Sequence, residues 1–227
     1  MILPSQYYEE SLYPLQDGVM NIISKCGVRF YLTGGTALSR AYYNHRYSDD
    51  LDFFVNNDDE YENQIKEIFF KLKEAGFNWS TEADFTSAKA FTSFKVGWDK
   101  SDTLLKLDFV NDVASHFGVI QKTTLYFRTD SIRNMLSNKL TALFRFAAKD
   151  VADIREFSLH ESIDWTQAIQ DARQKEAGLE IPIICDILQG FPQSEFETVT
   201  WTKKTEWKEF RADLDRIVFE MLSCGTE

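Results

Sequence analysis

The sequence predicts an α+β protein: a mixed sheet flanked by helices over residues 1–128, then a helical domain over residues 129–227. Two observations predict it. Short β-rich runs alternate with helical periodicity as far as Arg128, and from Ser131 onward apolar residues recur at spacings of three and four. Of the 227 residues, 44% are apolar and 15% aromatic, enough for a real core and too many for a disordered chain.

Taken in order, residues 6–25 read as a first helix, with Leu12, Leu15, Val19, Ile22 and Ile23 on one face and Gly27 as its stop. Val28–Thr33 is a β-rich run that enters Gly34-Gly35, and Thr36–Tyr43 looks helical. Leu51–Val55 is a strand. Asp58–Ala75 is a helix closed by Gly76, with Tyr61, Ile65, Ile68, Phe69 and Leu72 inward. Phe77–Thr86, Lys89–Trp98 and Thr103–Val110 read as strands, the last two joined by Asp99-Lys100-Ser101-Asp102. Thr124–Arg128 is a further strand candidate. Ile132, Leu136, Leu140, Leu143, Ala147, Ile154 and Phe157 then mark one long amphipathic helix. Residues 161–227 read as helices broken near Ile181-Pro182 and Gly190-Phe191-Pro192.

The net charge, 25 basic against 36 acidic residues or −11, argues against a general nucleic-acid coat. No apolar run reaches the ~18 residues of a membrane span, and MILPSQYYEESLY lacks the basic start of a signal peptide. Three widely separated cysteines (Cys26, Cys185, Cys224) fit reduced thiols in a cytoplasm and are expected to be small buried apolar side chains. The charge is unevenly spread. Seven acids and no base lie between Asp49 and Glu62, and six bases and one acid between Gln121 and Lys149. Either these are two solvated faces, or metals and phosphates meet between them.

The chemistry concentrates in two stretches, Tyr31-Leu-Thr-Gly-Gly-Thr-Ala-Leu-Ser39 and Arg46-Tyr-Ser-Asp-Asp-Leu-Asp-Phe-Phe54. In the first, a strand enters two glycines and a helix begins. The glycines let the backbone turn tightly, free N–H groups at a helix start suit phosphate, and Thr36 or Ser39 adds a hydroxyl. A double glycine is also often only a turn. It is neither a dinucleotide fingerprint nor a Walker loop. In the second stretch, period-two geometry puts Asp50 and Asp52 on one face and Leu51 and Phe53 on the other. Paired carboxylates in an apolar strand make sense with a divalent cation between them, and hard oxygens favour Mg²⁺ or Mn²⁺. Otherwise Asp49 and Asp50 belong to a solvated loop.

Asp108, in Leu104-Leu-Lys-Leu-Asp-Phe-Val110, is a third acid in an apolar strand. It converges with the pair if the two strands are neighbours; otherwise it faces water on an edge beside Lys106. Lys139, Asp150 and Asp153 fall on adjoining faces of this long helix, Lys139 and Asp150 within roughly 20°. They either line a cleft, where Lys139 could hold a triphosphate as a point charge, or rim the helix. His45, beside Asn44 and Arg46, reads as a surface or hydrogen-bonding residue, His116 and His160 lack visible partners, and Trp201 and Trp207 read as packing residues rather than base platforms.

With Leu32-Thr-Gly-Gly-Thr-Ala-Leu-Ser39 and Arg46-Tyr-Ser-Asp-Asp-Leu-Asp-Phe53, the chain resembles the AbiEii/AbiGii toxin family of polymerase-β-like nucleotidyltransferases. Lys139-Leu-Thr-Ala-Leu-Phe-Arg145 and Lys149-Asp-Val-Ala-Asp153 are similar to that family's later motif, so the likeness spans about residues 30–155. The resemblance implies a polymerase-β-like nucleotidyltransferase domain with a C-terminal helical domain closing over the nucleotide. It implies that Gly34, Gly35, Thr36 and Ser39 bind the nucleotide with Lys139 and Asp150, and that Asp50, Asp52 and Asp108 bind Mg²⁺ or Mn²⁺ and catalyse with Lys139. The implied reaction transfers NMP from an NTP to an acceptor hydroxyl, as at the 3′ end of a tRNA. A toxin role with a cognate antitoxin is implied too. A small-molecule or protein acceptor, or a non-catalytic nucleotide-binding module, are the alternatives.

Overall fold

In the computed structural model, residues 4–80, 84–99 and 101–224 are described. They form a mixed α+β fold with a helical C-terminal region, and the chain divides into two compact units. The first holds the chain through Tyr42, Tyr47–Val113 and Ile120–Asp130; the second holds Tyr43–Arg46, Ala114–Val119 and the chain from Ser131 on.

The first unit is built on a sheet of order β1-β2-β6-β5-β3, with β4 also paired to β5. Its strands are β1 (Tyr31–Thr33), β2 (Leu51–Asn56), β3 (Phe77–Trp79), β4 (Thr86–Ala88), β5 (Phe91–Trp98) and β6 (Leu105–Asp112). β2 and β6 are parallel and the other pairs antiparallel. Alternation along β2 buries Leu51, Phe53 and Val55 and leaves Asp52, Phe54 and Asn56 half-buried. The same pattern in β6 buries Leu105, Leu107 and Phe109 and leaves Asp108 on the other face. Phe53 stacks on Phe109 at 5.3 Å between centroids, and Phe94 on Phe109 at 6.0 Å. Each such ring removes about 1.5–3 kcal/mol of apolar surface from water, so register errors that flip the strands are heavily penalised. Helices α1 (Tyr13–Ile23) and α2 (Tyr61–Glu74) complete the core with Leu15, Val19, Ile23, Ile68 and Leu72.

The helical periodicity of residues 6–25 corresponds to three consecutive pieces, a turn Pro4–Tyr7, a π-helical stretch Tyr8–Leu12 and α1. The expected strand Phe77–Thr86 is shorter: β3 ends at Trp79, β4 begins at Thr86, and residues 81–83 lie outside the described residues, as does Lys100 of the expected turn. Thr124–Arg128 is not a strand. Thr123 Oγ1 accepts from the backbone N–H groups of Leu125 (3.3 Å) and Tyr126 (3.2 Å), a local turn that displaces ladder bonds. Among the described residues, isolated bridges join Thr129 to Gln121 and to Leu32.

The second unit is helical: α3 (Ile132–Ala142), α4 (Ala148–His160), α5 (Trp165–Arg173), α6 (Ile181–Gln189) and α7 (Trp207–Cys224). Ser131 caps α3 by accepting from the Asn134 N–H at 3.0 Å. The single long helix expected from Ser131 is broken. Leu143–Arg145 tightens to a 3₁₀ turn and Phe146 adopts a left-handed conformation with φ 57°. Trp201 and Trp207 pack with Phe196 and Phe210. Cys185 is buried, whereas Cys26 and Cys224 are half-exposed, so the expectation of three buried cysteines holds for one. No helix among the described residues is long and apolar enough to cross a membrane.

Candidate active site

Asp52 on β2 stands directly opposite Asp108 on β6, since the parallel register pairs these two residues. Neighbouring strands are about 4.8 Å apart, so side chains at paired positions of one face are adjacent. β6 lies between β2 and β5, so Asp108 is on an interior strand rather than an edge. Asp50 immediately precedes β2, two residues before Asp52.

The diglycine turn approaches the same carboxylates. β1 pairs Thr33 with Asp52, and the chain then turns through Gly34 at φ +71°. A Cβ on Gly34 would fall 2.1 Å from Asp52 Oδ2 and 2.9 Å from its Cγ. Only glycine allows both that conformation and that closeness. Thr36 Oγ1 donates to the backbone carbonyl of Asp50 at 2.5 Å, tying the turn to the acidic segment. Ser39 is buried in the π-helical run Ala37–Tyr43 that follows.

Two further residues, Ser93 and Lys106, bond to Asp108. Ser93 on β5 donates its hydroxyl to Asp108 Oδ1 at 2.6 Å, and Lys106 Nζ donates to Oδ2 at 2.5 Å. Partial burial works to lower the Lys106 pKa. The Asp108 hydrogen bond and the charges of Asp108, Asp50 and Asp52 outweigh it, holding the ammonium above its ordinary value. The spacing of Lys106 from Asp108 was a visible signal, because residues two apart share a strand face; Ser93 had none. Among the described residues, no group of three or more His, Cys, Asp or Glu side chains is gathered as a metal site. The donor chemistry nonetheless suits a hard divalent cation: carboxylate oxygens on adjacent strands, with an ammonium already held against one of them.

Lys139, Asp150 and Asp153 meet within the second unit. On one continuous helix, eleven residues would separate Lys139 from Asp150 by roughly 16 Å along the axis. The break at Leu143–Arg145 folds α4 back, and Lys139 Nζ reaches Asp150 Oδ1 at 2.8 Å and Asp153 Oδ2 at 2.6 Å. Arg145 grips Asp150 through Nε (2.6 Å) and Nη2 (2.8 Å). Arg46 grips Asp153 likewise (2.7 and 2.8 Å), and His45 Nε2 lies 2.8 Å from Asp153 Oδ1. Burial alone would raise both carboxyl pKa values. For Asp150 the Arg145 and Lys139 contacts reverse that, and for Asp153 the Arg46 and Lys139 charges and the His45 bond do, leaving Asp153 well below the ordinary range. Of the basic run 121–149, Arg133 pairs with Asp171 at 2.6 Å, so three of its cations answer carboxylates of the helical unit. His160 stacks on Tyr43 at 4.7 Å and pairs with Glu156 at 3.3 Å.

Comparisons with known proteins give the class of the chain. The family model described as "Nucleotidyl transferase AbiEii toxin, Type IV TA system" matches residues 21–220. The chain therefore belongs to the AbiEii nucleotidyl transferase toxin family and is a nucleotidyltransferase. Among solved structures, MenT4, a nucleotidyltransferase toxin from Mycobacterium tuberculosis H37Rv, superposes with a TM-score of 0.66 at 16% identity, covering 97% of this chain and 86% of that one. JHP933 from Helicobacter pylori gives a TM-score of 0.61 at 16% identity, covering 99% and 95%. At that identity the likeness is one of fold. No curated protein matches the sequence.

Proposed function

We propose that the protein transfers a nucleoside monophosphate from an NTP to an acceptor hydroxyl, with Asp50, Asp52 and Asp108 holding the divalent cations, Mg²⁺ or Mn²⁺. The observation that carries this reading is the pairing of Asp52 with Asp108, with Gly34 pressed against the Asp52 carboxylate. When bound, such ions neutralise phosphate charge and stabilise the pentacoordinate transition state.

The chain's own groups do the remainder. Gly34 and Gly35 let the polyphosphate approach the backbone, and Thr36 keeps Asp50 in place through its carbonyl. Ser39 supports the turn from its buried position. Asp108 orients the acceptor hydroxyl and takes its proton as the oxygen attacks the α-phosphorus. The bond to the β-phosphoryl oxygen breaks and pyrophosphate leaves. Arg46, Lys139 and Arg145 hold Asp150 and Asp153 in one buried network. Lys139 is the cation proposed to serve the β- and γ-phosphates, and Asp150 serves the nucleotide by holding Lys139 and Arg145.

The proposed acceptor is the 3′ end of a tRNA, the setting is cytoplasmic, and a cognate antitoxin restrains the activity. Incubation with α-labelled NTPs, Mg²⁺ and total RNA tests this. Label in RNA, with pyrophosphate released and both lost in Asp52→Ala, is expected. Label in protein or a small molecule would move the acceptor. An NTP-induced rise in melting temperature without product would reduce the chain to a binding module.

A further inference from the structure

The β2 ladder begins at Leu51, so no strand pairing fixes Asp50 or the two residues before it. Side chains do that instead. Gln16, fully buried on α1, donates its amide to the carbonyls of Ser48 at 3.0 Å and Asp49 at 3.1 Å. Arg40 Nη1 donates to Gln16 Oε1 at 3.0 Å, which settles which end of the amide faces the loop, and Arg40 Nη2 pairs with Asp17 at 2.8 Å. Tyr8 donates its hydroxyl to Asp49 Oδ1 at 2.6 Å with its ring stacked on Tyr47 at 4.3 Å. With Thr36 on the Asp50 carbonyl, three successive carbonyls are each held by a side chain. Tyr8 and Gln16 both precede the residues 21–220 that the family model covers.

We infer that Gln16 is a positioning residue for Asp50: the N-terminal segment sets the aim of the first metal-binding carboxylate through the Ser48 and Asp49 carbonyls. Gln16 touches neither nucleotide nor metal. The inference rests on the proposed role of Asp50, and its test separates the two.

Gln16→Glu keeps the size of the side chain and the Arg40 partner but removes the donor. In metal-free protein, backbone amides of residues 47–53 should then exchange with deuterium about tenfold faster. Mn²⁺ binding, followed by the spin-resonance signal of the free ion, should weaken about tenfold, as lost outer contacts commonly do. Leu188→Ala on α6, which lowers stability by another route, should move neither reading. Tyr8→Phe should shift both in the same direction by a factor of roughly two to three, and it stands in if Gln16→Glu fails to fold. Parental exchange and parental Mn²⁺ affinity in the folded variants would overturn the inference. If the parent binds no Mn²⁺, the metal reading fails and the exchange rates alone decide whether Gln16 holds the loop.

Discussion

Gly34→Ala places a methyl group where the Asp52 carboxylate lies. The backbone there has φ +71°, which costs an L-residue about 1–2 kcal/mol. The new Cβ would sit 2.1 Å from Asp52 Oδ2, so the carboxylate must retreat by about 1 Å to reach ordinary contact. The strain adds about 1 kcal/mol, and a total of about 2–3 kcal/mol lowers the melting temperature by about 5–10 °C for a chain of this size. A displacement of about 1 Å at a reacting centre commonly costs about a hundredfold in rate. The assay is pyrophosphate release from NTP under Mg²⁺, beside a thermal melt. Gly76→Ala is the control: φ is +85° and nothing lies within 4 Å of its Cβ, so it carries the backbone cost alone. It should lose stability by about 1–2 kcal/mol and keep its turnover. Parental turnover in Gly34→Ala would refute the claim that the turn and Asp52 form one site.

Lys106→Met should tighten Mn²⁺ binding about fivefold in equilibrium dialysis, because the ammonium now competes for Asp108 Oδ2 and a factor of five is about 1 kcal/mol; weaker binding would show that Lys106 assists the metal. Asp153→Asn should cost about 3–5 kcal/mol in denaturant melts at neutral pH, since it leaves Arg46 and Lys139 short of a buried partner. The folded-state pKa values of Asp150 and Asp153 are depressed, so their contribution is fully present above the ordinary carboxylate value near 4 and drains away as pH falls below it. A melting-temperature profile should therefore be flat in these two groups from pH 5 to 8 and fall below about pH 4, and Asp153→Asn should flatten that fall. Growth arrest on expression in bacteria should disappear with Asp50→Ala.

Much of the site could be read from the sequence because its signals are local. Gly34-Gly35 after a β-run, and Asp50 and Asp52 flanking Leu51, announce themselves through backbone freedom and period-two geometry. Asp108 was legible as an acid in an apolar strand, but its pairing with Asp52 depends on strand order, which no local pattern fixes. The helical break at Leu143–Arg145 was hidden because the apolar spacing continues through it, and Phe146 adopts a left-handed conformation that few bulky residues take. That break is what lets Lys139 touch Asp150. Thr124–Arg128 shows the opposite failure, where β-prone composition yields to a hydroxyl that satisfies nearby backbone N–H groups. Gln16 carries no sequence signal, since a buried amide on an amphipathic helix gains its meaning only from the carbonyls it meets.

The most direct test of the shared carboxylate site is Asp108→Asn, an isosteric change that removes one negative charge and keeps an acceptor for Ser93. Melting temperature and Mg²⁺-dependent pyrophosphate release would be measured on the same preparation. A near-parental melt with turnover down by at least about a hundredfold is expected. A well-folded Asp108→Asn protein that still turns over NTP at the parental rate would contradict it.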